Sequence, residues 1–342
     1  MGFAVTQERY EGFDQICMSG AGHEVKILPE AGFNVWYWHY NEEEILMKPV
    51  DIHIIGTKYG IPILFPTPNR IKNGTFQWKG KKYDMIKRGE RVVIHGLVKD
   101  EPFTVSQCKA EEEYALCEGT ISICPGNALF DAYPFPCTLT VRYTLTAEGL
   151  FMDMQVVNEG QEEMPFGFAV HPYFSKHGNA DKVYMDVPVK RVYEADEALI
   201  PNGKIVEMDP EKRPNGFKSV ESLYLDNVFR GMTEDAESQV RWENFTLHLS
   251  ASDCYRNVVV YTPHDRPGFC IEPQTCSTNS INLYNEGLLD ESGLLILPAG
   301  AKFESRVSYN LNSRQIISDD NTIISVKKHV HMGISKINTY IV

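Results

Sequence analysis

Nowhere in its 342 residues does the chain hold an apolar run long enough to span a bilayer, and no secretory apolar core lies near its start. A membrane segment and an export signal are therefore not expected. Basic residues are scarce: 33 Lys and Arg face 46 Asp and Glu, a net charge of −13. That balance disfavours nucleic acid and anionic membrane surfaces as partners. The eight cysteines, at 17, 108, 117, 124, 137, 254, 270 and 276, form no C-x-x-C pair and no zinc-type spacing. Reduced thiols in a cytoplasm fit this scatter better than a disulfide framework or a structural metal. Long amphipathic helices are lacking too. Only Glu221–Leu225 and Val50–Tyr59 suggest short helices.

What is present is strand. Val25–Leu28, Asn34–Tyr40, Val92–Ile94, Ala115–Ile123, Thr138–Thr146, Phe151–Val157, Gln239–Leu249, Val258–Thr262 and Ser305–Leu311 carry β-branched or aromatic alternation, with Gly and Pro punctuation between them. Thr138–Thr146, a turn at residues 147–149 and the following run read as a hairpin. With 43% hydrophobic residues the chain can bury a large core. No composition break appears before about residue 312, so residues 1–312 read as one all-β domain. Residues 313–342 read as a C-terminal extension, either extra edge strands or an arm for self-association as a homodimer. The tail's His329 and His331 lack a third ligand and read as surface residues.

Two strands stand out because each carries an ionisable residue where an apolar one belongs. In Pro165–Phe174, Phe166, Phe168 and Val170 share one side, while Gly167, Ala169 and His171 share the other. Small residues beside a polar one suggest a hollow for a ligand. Pro172 then restricts His171 to an extended conformation. In Gly268–Gln274, Phe269 and Ile271 share one side; Gly268, Cys270, Glu272 and Gln274 share the other, and Pro273 follows the glutamate. A glutamate half-buried in a strand is costly unless paired, hydrogen-bonded or protonated. Each residue alone also fits a satisfied core histidine or a structural ion pair.

These segments carry a family resemblance. Pro68-Asn-Arg-Ile71, His95-Gly96, His171-Pro-Tyr-Phe174, Leu225-Asp-Asn-Val-Phe229, Cys270-Ile-Glu-Pro-Gln274, Leu297-Pro-Ala-Gly300 and Val307-Ser-Tyr-Asn-Leu311 occur in the order and at the separations found in aldose 1-epimerases. The chain resembles that family from about residue 20 to residue 311. The resemblance implies a large twisted antiparallel β-sandwich of the galactose mutarotase-like kind. It also implies interconversion of the α and β anomers of an aldose by opening and closing of the ring. That chemistry needs a base for the C1 hydroxyl and an acid for the ring oxygen, with no redox step, metal or other cofactor. The resemblance assigns the base to Glu272 and the acid to His171, with His95 assisting, and hydroxyl binding to Arg70 and Asp226. A carboxylate facing His171 is expected to keep the imidazole protonated near neutrality.

Further expectations attach to neighbours. Tyr173 and Phe103 are candidate aromatic walls for a sugar ring, and each alone fits core packing better; Gln274 is a candidate hydrogen-bonding partner. Arg70, after the rigid Pro66–Asn69 turn, reads either as a brace for that loop or as a ligand for vicinal hydroxyls. Asp226 reads as a turn cap or as a sugar ligand. The stretch Thr275–Asn279 lacks an aspartate common in the family, and Phe103 stands near a position often held by tryptophan, so galactose, glucose and other aldoses stay open. A hexose 6-phosphate needs cations at the pocket mouth, for which Lys87, Arg88 and Arg91 are the nearby candidates. A non-catalytic sugar binder of the same fold is the remaining alternative.

Overall fold

The structure is a computed structural model and describes residues 2–54, 58–232 and 237–313. Three antiparallel sheets carry the architecture. A nine-stranded sheet runs, edge to edge, through Thr104–Ala110, Tyr114–Ile123, Cys137–Thr146, Gly149–Asn158, Lys302–Ser313, Phe245–Ala251, Ser238–Arg241, Tyr184–Asp186 and Lys218–Ser219. A second runs through Pro201–Glu207, Arg191–Ala195, Asp226–Arg230, Asn257–Tyr261, Gly268–Gln274, Ala169–Val170 and Ile63–Leu64, with Tyr173–Ser175 also on Gly268–Gln274. A five-stranded meander at the N-terminus, from Ala4–Tyr10 to Glu43–Glu44, completes the set. Among the described residues only three short α-helices occur, and no helix is long and apolar enough to cross a membrane.

Period-two patterning explains the core. In Cys137–Thr146 the residues Cys137, Leu139, Val141, Tyr143 and Leu145 are buried and their neighbours are not. The antiparallel partner Gly149–Asn158 buries Leu150, Met152, Met154 and Val156 in the same way. One face of this sheet is therefore core and the other meets solvent. Gly268–Gln274 breaks that rule because every residue in it is buried. Phe269 and Ile271 join the main core, whereas Cys270 packs with Leu28, Trp36, Met47, Tyr59 and Tyr173 on the opposite face. A strand covered on both faces can hold its polar side chains away from bulk water.

Several sequence expectations are corrected. Pro165–Phe174 is three short strands, Met164–Phe166, Ala169–Val170 and Tyr173–Ser175, and not one. Its backbone changes partners along the way. Gly167 N–H bonds to Pro66 O, Phe168 N–H to Thr275 Oγ1 and His171 N–H to Pro62 O, while Pro172 has no donor to give. Val92–Ile94 forms only an isolated bridge, Ile94 to Arg70. Gln239–Leu249 is split into two strands by a turn at residues 242–244. The described residues of Val50–Tyr59 are turns, and Glu221–Leu225 holds a 3-10 turn at Val220–Ser222. The tail beyond residue 313, with His329 and His331, lies outside the described residues.

Candidate active site

The register of the second sheet brings the two ionisable residues together. Ala169 pairs with Gln274 and Tyr173 with Cys270, and the same register carried between them sets His171 opposite Glu272. Their side chains point to the same face, and His171 Nε2 stands 3.3 Å from Glu272 Oε1. Both are nearly sealed, with side-chain exposures of 7% and 2%.

The small residues beside them do not leave a hollow, contrary to the expectation. A Cβ on Gly167 would drive into Cys276 Sγ and stand 2.9 Å from Pro68 Cδ. One on Gly268 would stand 2.5 Å from Met47 Sδ. These glycines let neighbouring segments pack closely against the two segments that carry the pair.

Burial then sets the charge states. Glu272 is held well above the ordinary carboxylate range, first by burial and next by the charge of Asp226, against weaker opposing pulls from Gln274 and Arg70. His171 is pushed down to about 3, chiefly by burial. Desolvation opposes the charged form of both groups and so favours a protonated carboxyl beside a neutral imidazole. Both shifts run against the expected imidazolium in the ligand-free site. His95 is likewise driven well below its ordinary value, by burial and then by His171, Lys99 and Arg70.

His95 approaches the pair edge-on, with ring centroids 5.2 Å apart and planes at 77°. Its backbone lies in the left-handed region at φ 63°, sparse for a non-glycine residue and found often at functional sites. Gly96 follows at φ 67°, where a side chain would strike Phe65 O. His95 N–H bonds to Asn69 O at 2.7 Å, which locks this kink to the Arg70 loop. Asn279 fixes that loop from the other side, with Asn279 N–H on Arg70 O at 2.8 Å and Asn279 Oδ1 accepting from Lys72 N–H at 3.0 Å.

Arg70 both braces and reaches. It donates to Asn69 Oδ1 at 3.2 Å, and its Nη2 lies 4.0 Å from Asp226 Oδ2. Asp226 opens the strand Asp226–Arg230, so it is no turn cap, and burial raises its carboxyl above the ordinary value. With Asn69, Tyr193, Asn227 and Val228, the two line a cleft at the surface. Neither His171 nor Glu272 lines that cleft. Both cleft residues nonetheless act on the charge of Glu272.

Gln274 is fully buried and donates to Glu272 Oε2 at 3.4 Å, a long bond. Tyr173 lies flat on the His171 ring, centroids 4.6 Å apart at 11°, so it supports the imidazole. Phe103 stacks on Phe33 at 5.5 Å inside the main core. Its surroundings are those of a packing residue and not of a sugar wall. Lys87 and Arg88 are engaged by Asp100 and Glu101, and Arg91 by Asp84. Arg266, which sequence reading passed over, sits half-exposed in the turn between Asn257–Tyr261 and Gly268–Gln274, and its charge bears on His171 and Cys270. His95 Nδ1, His171 Nδ1 and Gln274 Oε1 are buried without a hydrogen-bond partner, an arrangement that polar ligand atoms would satisfy.

The described fold is a galactose mutarotase-like β-sandwich, superposing on a galactose mutarotase-like protein from Clostridium acetobutylicum with a TM-score of 0.82 at 22% identity, over 92% of this chain and 99% of that one. A galactose 1-epimerase from Lactobacillus acidophilus superposes with a TM-score of 0.74 at 16% identity, over 91% and 98%. The sequence pattern of the family described as aldose 1-epimerase matches residues 25–311, and the chain belongs to that family. Among curated proteins it is similar to the uncharacterized protein YihR of Escherichia coli, 26% identical over 237 residues that cover 68% of this chain and 74% of YihR. It is 29% identical to the plasmid-encoded LacX of Lactococcus lactis over 236 residues, which cover 64% of this chain and 75% of LacX.

Proposed function

We propose that this protein is an isomerase that interconverts the α and β anomers of a free aldose. The observation that carries the reading is the 3.3 Å contact between His171 Nε2 and Glu272 Oε1, buried on one sheet face with unpartnered polar atoms around it. A pair sharing one proton supplies an acid and a base at once. With the C1 and ring-oxygen edge of the sugar brought against the pair, Glu272 as carboxylate takes the proton of the C1 hydroxyl while His171 protonates the ring oxygen. The ring opens, the aldehyde turns about C1–C2, and closure returns both protons. These roles require the shared proton to pass from Glu272 to His171 as the sugar enters. The polar hydroxyls and the neighbouring Arg70 then replace some of the solvation that burial removed. Arg70 and Asp226 hold further hydroxyls, and neutral His95 assists near the ring oxygen.

The engagement of Lys87, Arg88 and Arg91 by acidic partners supports an uncharged sugar over a 6-phosphate. Arg266 is the one observation that favours the phosphorylated alternative, because it supplies a cation beside the pair. Free thiols at all eight cysteines support a reducing, cytoplasmic setting. The test is to dissolve pure α-D-glucose or α-D-galactose with the protein and follow optical rotation. Equilibration faster than buffer supports the reading. Buffer-like rates across a panel of aldoses and their phosphates would leave a sugar binder.

A further inference from the structure

We propose that the same face holds a binding site for a thiophilic divalent cation of the zinc type, ligated by His171, Cys270 and Glu272, and that the bound cation excludes the sugar. The three donor atoms already lie within 4.8 Å of one another, and all three residues are buried. A tetrahedral zinc with bonds of about 2.0–2.3 Å needs donors roughly 3.3–3.7 Å apart. The imidazole–carboxyl edge meets that spacing at 3.3 Å. The thiol needs only a small side-chain adjustment to complete a triangle.

The fold makes this set rigid. Cys270 and Glu272 are alternate residues of one strand and share a face, and Tyr173, paired with Cys270, stacks on the His171 ring. Gln274 donates to the second oxygen of Glu272 and so orients it. Electrostatics favours the complex as well. Burial makes a lone thiolate or a lone carboxylate here costly, but a thiolate, a carboxylate and a dication sum to zero. The mixed sulfur, nitrogen and oxygen set selects zinc or cadmium over magnesium or calcium. Since the ligands include both proposed catalytic groups, a cation held by them takes the place of the proton they share. The binding claim stands on the donor geometry alone and does not require the site to epimerise sugars.

The experiment uses the full chain, stripped of metal with a chelator and titrated separately with Zn2+ and Co2+. The expected results are tight zinc binding by calorimetry and a near-ultraviolet thiolate-to-cobalt absorption band. Cys270→Ser should abolish the band and weaken zinc by roughly a hundredfold, since altering even an outer-shell partner typically costs 10–100-fold. Glu272→Gln should weaken zinc while keeping the band, which provides a second readout if the serine variant folds poorly. Where anomer equilibration is measurable, Zn2+ should slow the wild type, and Cys270→Ser should resist that inhibition. Absence of the cobalt band, or its persistence in a folded Cys270→Ser protein, overturns the proposal. Absence of epimerase activity in the metal-free protein, with the cobalt band forming on addition of metal, would count against the function proposed above and not against this site.

Discussion

Replacing Glu272 with glutamine should make the protein more stable at neutral pH. The reasoning is a linkage argument. Burial raises the carboxyl well above its ordinary value in the fold, whereas in the unfolded chain it titrates at about 4.3. Between that value and the folded one, the native state holds a proton that the unfolded state has released. Stability is therefore lost as pH rises through this window. Were the carboxyl fully protonated in the fold at pH 7, the cost would be at most about 4 kcal/mol. Glutamine keeps the shape, can donate to His171 Nε2 and has no proton to retain. Allowing about 1 kcal/mol for an altered hydrogen bond, the variant should gain roughly 1–3 kcal/mol at pH 7.5 and close to nothing at pH 4. Urea unfolding of both proteins at the two pH values reads this difference directly. Equal or lower stability of Glu272→Gln at pH 7.5 would show that Glu272 rests as an anion paired with an imidazolium, and the burial argument would fail.

Other outcomes follow from the same structure. The catalytically competent pair carries one proton, a second proton adds to His171 only near pH 3, and the last leaves Glu272 well above the carboxylate range. The acid limb of the pH profile of kcat/KM should therefore lie near 3, and an acid limb near 6.5 would contradict these charge states. Gly167→Ala should cost about 1–3 kcal/mol in thermal or urea unfolding, because the added methyl meets Cys276 Sγ and Pro68; unchanged stability would show that this closure is loose. Arg266→Ala should leave KM for a neutral aldose within about twofold, and a much larger rise for an aldose 6-phosphate in parallel assays would favour the phosphorylated substrate.

Much of the site was legible because strands obey simple rules. Alternation placed His171 opposite in sense to Phe166 and Phe168, and Glu272 opposite to Phe269 and Ile271, and both assignments match the faces in the structure. The motif Pro68–Ile71 and the residues around Asp226 come together as one cleft edge. What could not be read is long-range. Nothing local to Gly167 announces that Cys276 will occupy the space beside it, so small residues looked like a hollow when they were a contact surface. Asn279 entered the sequence reading only as the end of a stretch lacking an aspartate, yet it fastens a segment some two hundred positions earlier, bonding to Arg70 O and Lys72 N–H. Phe103 fitted a sugar wall or core packing by sequence, and the Phe33 ring stacked against it is a long-range contact that no local pattern states. The charge states depended on how completely both faces of one strand are covered, which no residue pattern states.

The most direct test of the His171–Glu272 pair is exchange spectroscopy at anomeric equilibrium, recording proton transfer of magnetisation between the C1 signals of α- and β-glucose or galactose in the presence of the protein. Wild-type protein should produce exchange cross-peaks absent from buffer, and folded His171→Asn and Glu272→Gln should each lose nearly all of that intensity. Cross-peaks of near wild-type strength in either variant would contradict acid/base catalysis by this pair.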